Sequence, residues 1–282
     1  MKFDIIVNKY LLMWHLLFQS SISQDIHDAK QKIWTSKRNK YIDLKNEKDV
    51  ILRDLDNYIP DDDEVFDILE NSSAYKKIKQ ETNRYRLMLL EIWDKNKKLY
   101  FRELGKILKY DLKGDYKICI LHPSLGVAEV DFVDNKVITI GKKLSIKEKD
   151  DFLTYLMYKI IKNDVLNVDT KEIYILNSVI ELAITNELYT RVTGDSKYSL
   201  GKKELRGIKE KIYPYWLMYL GISKDNMEKH MLRDNILFNI NAYNYINELS
   251  CMSIFDFINY IIDNKKEIFS KKKEKLELIE EL

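Results

Sequence analysis

Two helical stretches hold the residues on which chemistry could be built. The first, FLTYLMYKIIKN (152–163), follows VITIGKK (137–143), a short run that reads as a strand. Phe152, Leu153, Tyr155, Leu156, Met157, Tyr158, Ile160 and Ile161 leave it almost no polar face, so it reads as a helix buried on most sides. Lys159 is the exception, and an ammonium in that setting needs a partner or a path to water. The second stretch is LNSVIELAITNELYTRVTG (176–194). It puts Ile180, Ala183 and Glu187 at i, i+3 and i+7, so the stripe that faces the core carries a carboxylate. Ala183 permits close helix approach, Glu181 falls on a different face, and Asn186 adjoins Glu187. A carboxylate on an apolar stripe is either partnered or functional.

Other chemistry has little local support. The four histidines, His15, His27, His122 and His230, show no HxH, HxxxH or HExxH spacing. His122 lies in the loop HPSLG (122–126) and reads as structural. In EKHMLRD, His230 and Asp234 are four apart and read as a surface ion pair on one helix face. A distant histidine that joins Glu187 in space stays open. No G-x-S-x-G, G-x-G-x-x-G or P-loop occurs. The acidic run in IPDDDEVFDIL lacks calcium-loop spacing, and Asp61 with Glu64 reads as a helix cap. Tyr213, Tyr215, Trp216 and Tyr219 read as packing. Cys119 and Cys251 fit no metal spacing, and a reduced protein is the simpler expectation.

The elements that must position these residues are mostly helices. Only 8 glycines and 3 prolines in 282 residues favour long helices over a many-turned β architecture. Helical spacing is expected over 3–36, 46–58 and 73–110, with Ile78, Tyr85, Leu89, Ile92 and Trp93 recurring in the last. YKICIL (116–121), VAEVDFV (127–133) and KVITI (136–140) read as a small antiparallel sheet, with Asp134-Asn135 as a hairpin turn. Helices are expected again over 146–163, 172–193, 202–220, 224–233 and 253–264, with Gly194 and Gly221 as C-caps. The expected fold class is therefore α+β and predominantly α-helical. It has a helical N-terminal region (1–113) and a region with the small sheet and helical C-terminal part (114–282), packed as one body.

The order of short sheet, buried helix, connector and second helix with Asn-Glu resembles the gluzincin zinc metallopeptidases over roughly residues 116–194. In that family an HExxH motif on the first helix supplies two histidine ligands and a catalytic glutamate, and a glutamate on the second helix supplies the third ligand. The resemblance places YLMYK (155–159) at HExxH, Glu187 of NELYTR at the third ligand, and KVITI at the strand along which substrate aligns. Tyr155 then stands at the first histidine, Leu156 at the general base and Lys159 at the second histidine. Zinc sites of this type need neutral imidazoles, a carboxylate and an open position for water. Leucine cannot activate water and a protonated lysine repels the cation. The resemblance thus implies a zincin-like region with a former active site at Tyr155, Leu156, Lys159 and Glu187, with no metal, no cofactor and no catalytic residue. In place of the metal, Lys159 is expected to pair with Glu187, with a hydrogen bond from the Tyr155 hydroxyl.

The function expected from this is an inactive metallopeptidase homologue that binds a peptide or protein. Two alternatives stay open: a helical scaffold without peptidase ancestry, and an enzyme using an unrecognised site. The balance of 47 basic and 45 acidic residues, +2 overall, gives no steering toward nucleic acid or an anionic membrane. The basic stretch KQKIWTSKRNKY (30–41) is offset by acids around it. The apolar run from Tyr10 to Phe18 is broken by His15, and no A-x-A-like site follows, so no signal peptide is expected. No run approaches the ~20 apolar residues of a membrane span, and a cytoplasmic location is the default expectation.

Overall fold

A computed structural model of the chain describes residues 2–19, 24–60, 63–111, 114–125, 137–141, 149–166, 172–195 and 202–270. The chain divides into two compact units, residues 1–95 with 113–147, and residues 96–112 with 148–282.

The first unit begins with a strand where the sequence suggests a helix. In KFDII the apolar residues Phe3 and Ile5 alternate with Lys2 and Asp4, a period of two, and β1 (Lys2–Ile6) follows that period. The helical period starts only after Asn8, whose side-chain oxygen accepts the Leu11 N–H at 2.8 Å and caps α1 (Lys9–Gln19). There follow α2 (Gln24–Ser36), α3 (Arg38–Leu44), α4 (Lys48–Arg53), α5 (Glu64–Glu70) and the long α6 (Ser73–Leu108). Asp63 precedes α5 without a side-chain cap bond, and the expected cap at Asp61 lies outside the described residues.

The sheet takes β2 (Asp115–Ile120) at its centre, with β1 on one side and β3 (Val137–Ile140) on the other, and both pairings are parallel. The antiparallel sheet expected from sequence is thus replaced, among the described residues, by a parallel one. The run 127–133 and the turn Asp134-Asn135 of the expected hairpin lie outside those residues. The reason is topological: β2 finds a partner more than a hundred residues earlier, and no local turn signal marks such a pairing. Opposite charges help to fix its register, since Lys2 faces Asp115 and Asp4 faces Lys117. On one sheet face Phe3 packs on Trp93 of α6, 4.4 Å between ring centroids. On the other, Cys119 and Val137 join a core to which all six helices α1 to α6 contribute. All four residues of β3 are buried, at 0–5% exposure, so the strand expected to align substrate is not open to one.

The described secondary-structure elements of the second unit are all helices. Its elements are α7 (Lys149–Leu166), α8 (Ile173–Glu181), a widened π-helical stretch (Leu182–Leu188), α9 (Tyr189–Thr193), α10 (Arg206–Tyr219), α11 (Lys224–Asp234), α12 (Ile254–Asp263) and α13 (Lys265–Ser270). Gly194 at φ 75° and Gly221 at φ 74° end α9 and α10 in the left-handed conformation that glycine adopts without strain. Ser253 and Asp256 form a capping box on α12. The end of α6 belongs to this unit: the Tyr219 hydroxyl donates to the Ile107 carbonyl at 2.6 Å, and the Lys109 ammonium donates to the Ser250 carbonyl at 2.7 Å. Trp216 and Tyr219 stack at 5.1 Å and pack with Phe257, so the aromatic cluster is core. The sheet belongs with the N-terminal helices, whereas the residue pattern groups it with the C-terminal ones. β1 makes the difference, because it ties β2 to residues 2–6. Among the described residues no helix is long and apolar enough to cross a membrane.

Candidate functional site

The four positions singled out from sequence all lie in the second unit, where α7 packs on α8 and the π-helical stretch. Leu156 is fully buried. Tyr155 is partly buried, and burial pushes its phenol up to about 12, so it stays protonated at neutral pH. Lys159 sits over the Tyr155 ring, 5.2 Å from the centroid. Burial lowers its pKa, and the nearby positive charges of Lys162 and Lys202 lower it further.

Glu187 is 3% exposed, so the later helix does turn a carboxylate inward. Its partners are guanidinium groups. Arg191 Nε donates to Oε1 at 2.6 Å and Arg233 Nη2 donates to Oε2 at 3.0 Å. Among the described residues no ion pair joins Lys159 to Glu187, which corrects the expected pair. Arg191 lies four residues on, one helical turn away, and competes from the same helix. Arg233 reaches in from α11 with a fork that can serve two carboxylates at once.

Arg233 does so. Its Nε and Nη2 both lie 2.7 Å from Asp234 carboxylate oxygens while Nη2 also reaches Glu187. Asp234 is 1% exposed and accepts a third bond from the Tyr213 hydroxyl at 2.6 Å. Burial by itself would lower the Arg233 pKa, but the bonds and charges of Asp234 and Glu187 outweigh it and hold it above its ordinary value. The Tyr213 phenol is pushed up by burial and then by the Asp234 charge. His230 and Asp234 therefore do not form the expected surface pair. Asp234 faces inward, and the His230 imidazole is kept toward its neutral form by burial and by the Arg233 charge.

A buried lysine–glutamate pair does exist, six residues earlier. Lys209 Nζ donates to Glu181 Oε2 at 2.6 Å, with the side chains 0% and 2% exposed. The Lys202 backbone N–H donates to the same oxygen at 3.0 Å. Burial lowers the Lys209 pKa and Glu181 opposes that shift. Placing Glu181 on a different face from Glu187 assumes that the helix has an outer face. It has none, because nearly every residue from Ile175 to Tyr189 is buried.

Along α11, Asn226, Lys229, His230 and Arg233 recur at i, i+3, i+4 and i+7. They line a cleft of about 520 Å³ closed on one side by the turn Gly221–Ser223. The neighbouring face, Met227, Met231 and Asp234, is buried. Arg233 thus belongs both to the buried network and to the cleft wall. Neither Arg191 nor Arg233 carries a local motif. The i, i+4 spacing from Glu187 to Arg191 is the one sequence signal that could have found the first of them.

The donor set does not fit zinc. Leu156 offers no ligand atom, Lys159 is a cation, Tyr155 holds its proton, and both oxygens of Glu187 face guanidinium groups. Among the described residues no three His, Cys, Asp or Glu side chains group so as to hold a metal. No family model matches the chain, and neither does a curated protein or a solved structure.

Proposed function

We propose that the second unit of this protein is a binding module: it retains the helix order of a zinc peptidase, has lost zinc-dependent hydrolysis, and binds a peptide or protein partner. The observation that carries the reading is the clamping of Glu187 between Arg191 and Arg233. The carboxylate that would ligate a metal instead orients an arginine in the wall of a cleft. At about 520 Å³ the cleft is of a size to take a short segment, and Lys229 and Arg233 with the His230 ring favour one with a carboxylate. Addition of a peptide strand to the sheet is not part of the proposal, because β3 is buried.

Two measurements test it. Metal analysis of the purified protein after exposure to zinc should give well under one equivalent, and stoichiometric zinc would overturn the loss of the metal site. Binding of acidic against neutral fluorescent peptides should favour the acidic ones. Lys229→Glu, a change at an exposed position, should weaken the preference at least about ten-fold, the equivalent of ~1.4 kcal/mol. Equal binding of both peptide classes would remove the cleft from the proposal.

A further inference from the structure

His122 lies just beyond the C-terminal end of β2, the end of a parallel sheet at which open α/β folds bind ligands. Its ring touches two functional groups. Nε2 is 3.0 Å from Glu81 Oε2 on α6, and Nδ1 is 2.5 Å from Ser124 Oγ. The Ser124 backbone N–H also donates to Nδ1, at 3.3 Å. A backbone N–H can only donate, so Nδ1 carries the lone pair and the ring proton sits on Nε2, facing the carboxylate. In that tautomer the Ser124 hydroxyl donates to His122, and His122 donates to Glu81. A hydroxyl, a base and an orienting carboxylate stand in series, the arrangement that activates an oxygen nucleophile. The short turn Pro123–Leu125 holds it, closed by the Leu125 N–H on the His122 carbonyl at 3.0 Å, with Pro123 restraining the backbone between base and nucleophile. Ser124 is exposed while the His122 side chain is 13% exposed, so a substrate can reach the oxygen and the base is partly shielded.

We propose that Ser124, His122 and Glu81 form an acyl-transfer site for small activated esters, with water as the second substrate. Ser124 Oγ attacks the ester carbonyl carbon, its proton passes to His122 Nδ1, and the carbonyl electron pair moves onto oxygen. The pair returns as the bond to the leaving oxygen breaks, and the imidazolium protonates that oxygen as it departs. Water, deprotonated by the same nitrogen, then attacks the acyl-serine, releases the acid and restores Ser124. Glu81 holds the ring in the required tautomer and stabilises the imidazolium in both halves. The site lies in the first unit and depends on nothing proposed for the helix pair.

A fluorophosphonate probe on the full chain tests this. Attack by Ser124 would form an Oγ–P bond and expel fluoride, an adduct that peptide mass spectrometry locates. The expected result is labelling at Ser124, slowed at least about a hundred-fold by His122→Ala and at least about ten-fold by Glu81→Gln. Glu81→Gln keeps the shape of the side chain and sits on a helix surface, so it tests the relay even if His122→Ala disturbs the turn. Hydrolysis of p-nitrophenyl acetate should fall in the same order. No adduct at Ser124 in the unaltered protein, or labelling at the unaltered rate in the Glu81→Gln variant, overturns the proposal.

Discussion

Glu181 and Glu187 lie six residues apart on one helical stretch and are almost equally buried, at 2% and 3% exposure. Their partners differ in kind. Glu181 meets the compact ammonium of Lys209, itself wholly buried, and a backbone N–H from Lys202. Glu187 meets two guanidinium groups whose side chains are 28% and 26% exposed. A point charge can be closed in with its counter-ion, and nothing of the pair then reaches solvent. A planar fork divides its donors, so Arg233 holds two buried carboxylates while its side chain still borders a cleft. The first arrangement only holds helices together. The second links the interior to a surface, and for that reason the binding proposal rests on Glu187 and not on the drier pair.

The sharpest way to break this comparison is to remove the enclosed cation. Lys209→Ala leaves Glu181 charged, buried and short of its counter-ion, and should cost about 3–5 kcal/mol in denaturant unfolding. The double change Lys209→Met, Glu181→Leu should recover most of that, because two apolar groups of similar size need no charge compensation. A loss under ~1 kcal/mol for the single variant would mean that water reaches Glu181, and the two carboxylates would then not differ as described.

A smaller effect is expected at the second carboxylate. Arg233→Met leaves Glu187 with Arg191; Asp234 keeps the Tyr213 hydroxyl and loses its counter-ion, but the Arg233 side chain is 26% exposed, so water can reach the gap and offset part of that loss. The loss should be about 1.5–3 kcal/mol, the range for hydrogen bonds to charged groups. Arg191→Met, which removes one direct bond to Glu187, should cost less than Arg233→Met. Equality of Lys209→Ala and Arg233→Met in the same unfolding experiment would show that exposure of the partner does not matter.

Much of the second unit could be read from its residues. The helix 172–193 appears as 173–193 with its glycine stop at 194, and Glu187 is buried as expected, although nearly the whole stretch is buried with it and not the Ile180–Ala183 stripe alone. The partner of that carboxylate did not follow. Periodicity says which way a side chain points along its own helix, but not which distant helix arrives opposite it. Arg233 is forty-six residues further on. The same limit hid β1, whose partner is β2, and hid Glu81, forty-one residues before the histidine it orients. Local signals describe elements, and the contacts between elements carry both candidate sites. The parallel pairings of the described strands depend on contacts between elements in the same way. A turn-like Asp134-Asn135 invites a local hairpin, which lies outside the described residues, whereas β2 pairs in parallel both with β1 at the start of the chain and with β3.

The smallest effect concerns Lys159, the cation that the residue pattern assigns to Glu187. It has like charges near it and an aromatic ring under it, and burial lowers its pKa below the ordinary 10.5. Its folded-state pKa is thus depressed relative to the unfolded chain. Between the depressed value and 10.5 the unfolded state binds more protons, so this group's contribution to stability rises with pH across that window. Below the window the protonated side chain carries its full desolvation cost, offset in part by about 0.5–1 kcal/mol from the Tyr155 ring. Lys159→Met should therefore shift stability at pH 7 by less than about 1 kcal/mol, in the stabilising direction, and the gap to the unaltered protein should narrow by pH 10. Paired denaturant curves at the two pH values decide it. A loss of several kcal/mol at pH 7 would mean that an anion faces the ammonium after all, and Glu187 would then have to be shared between a lysine and its two arginines.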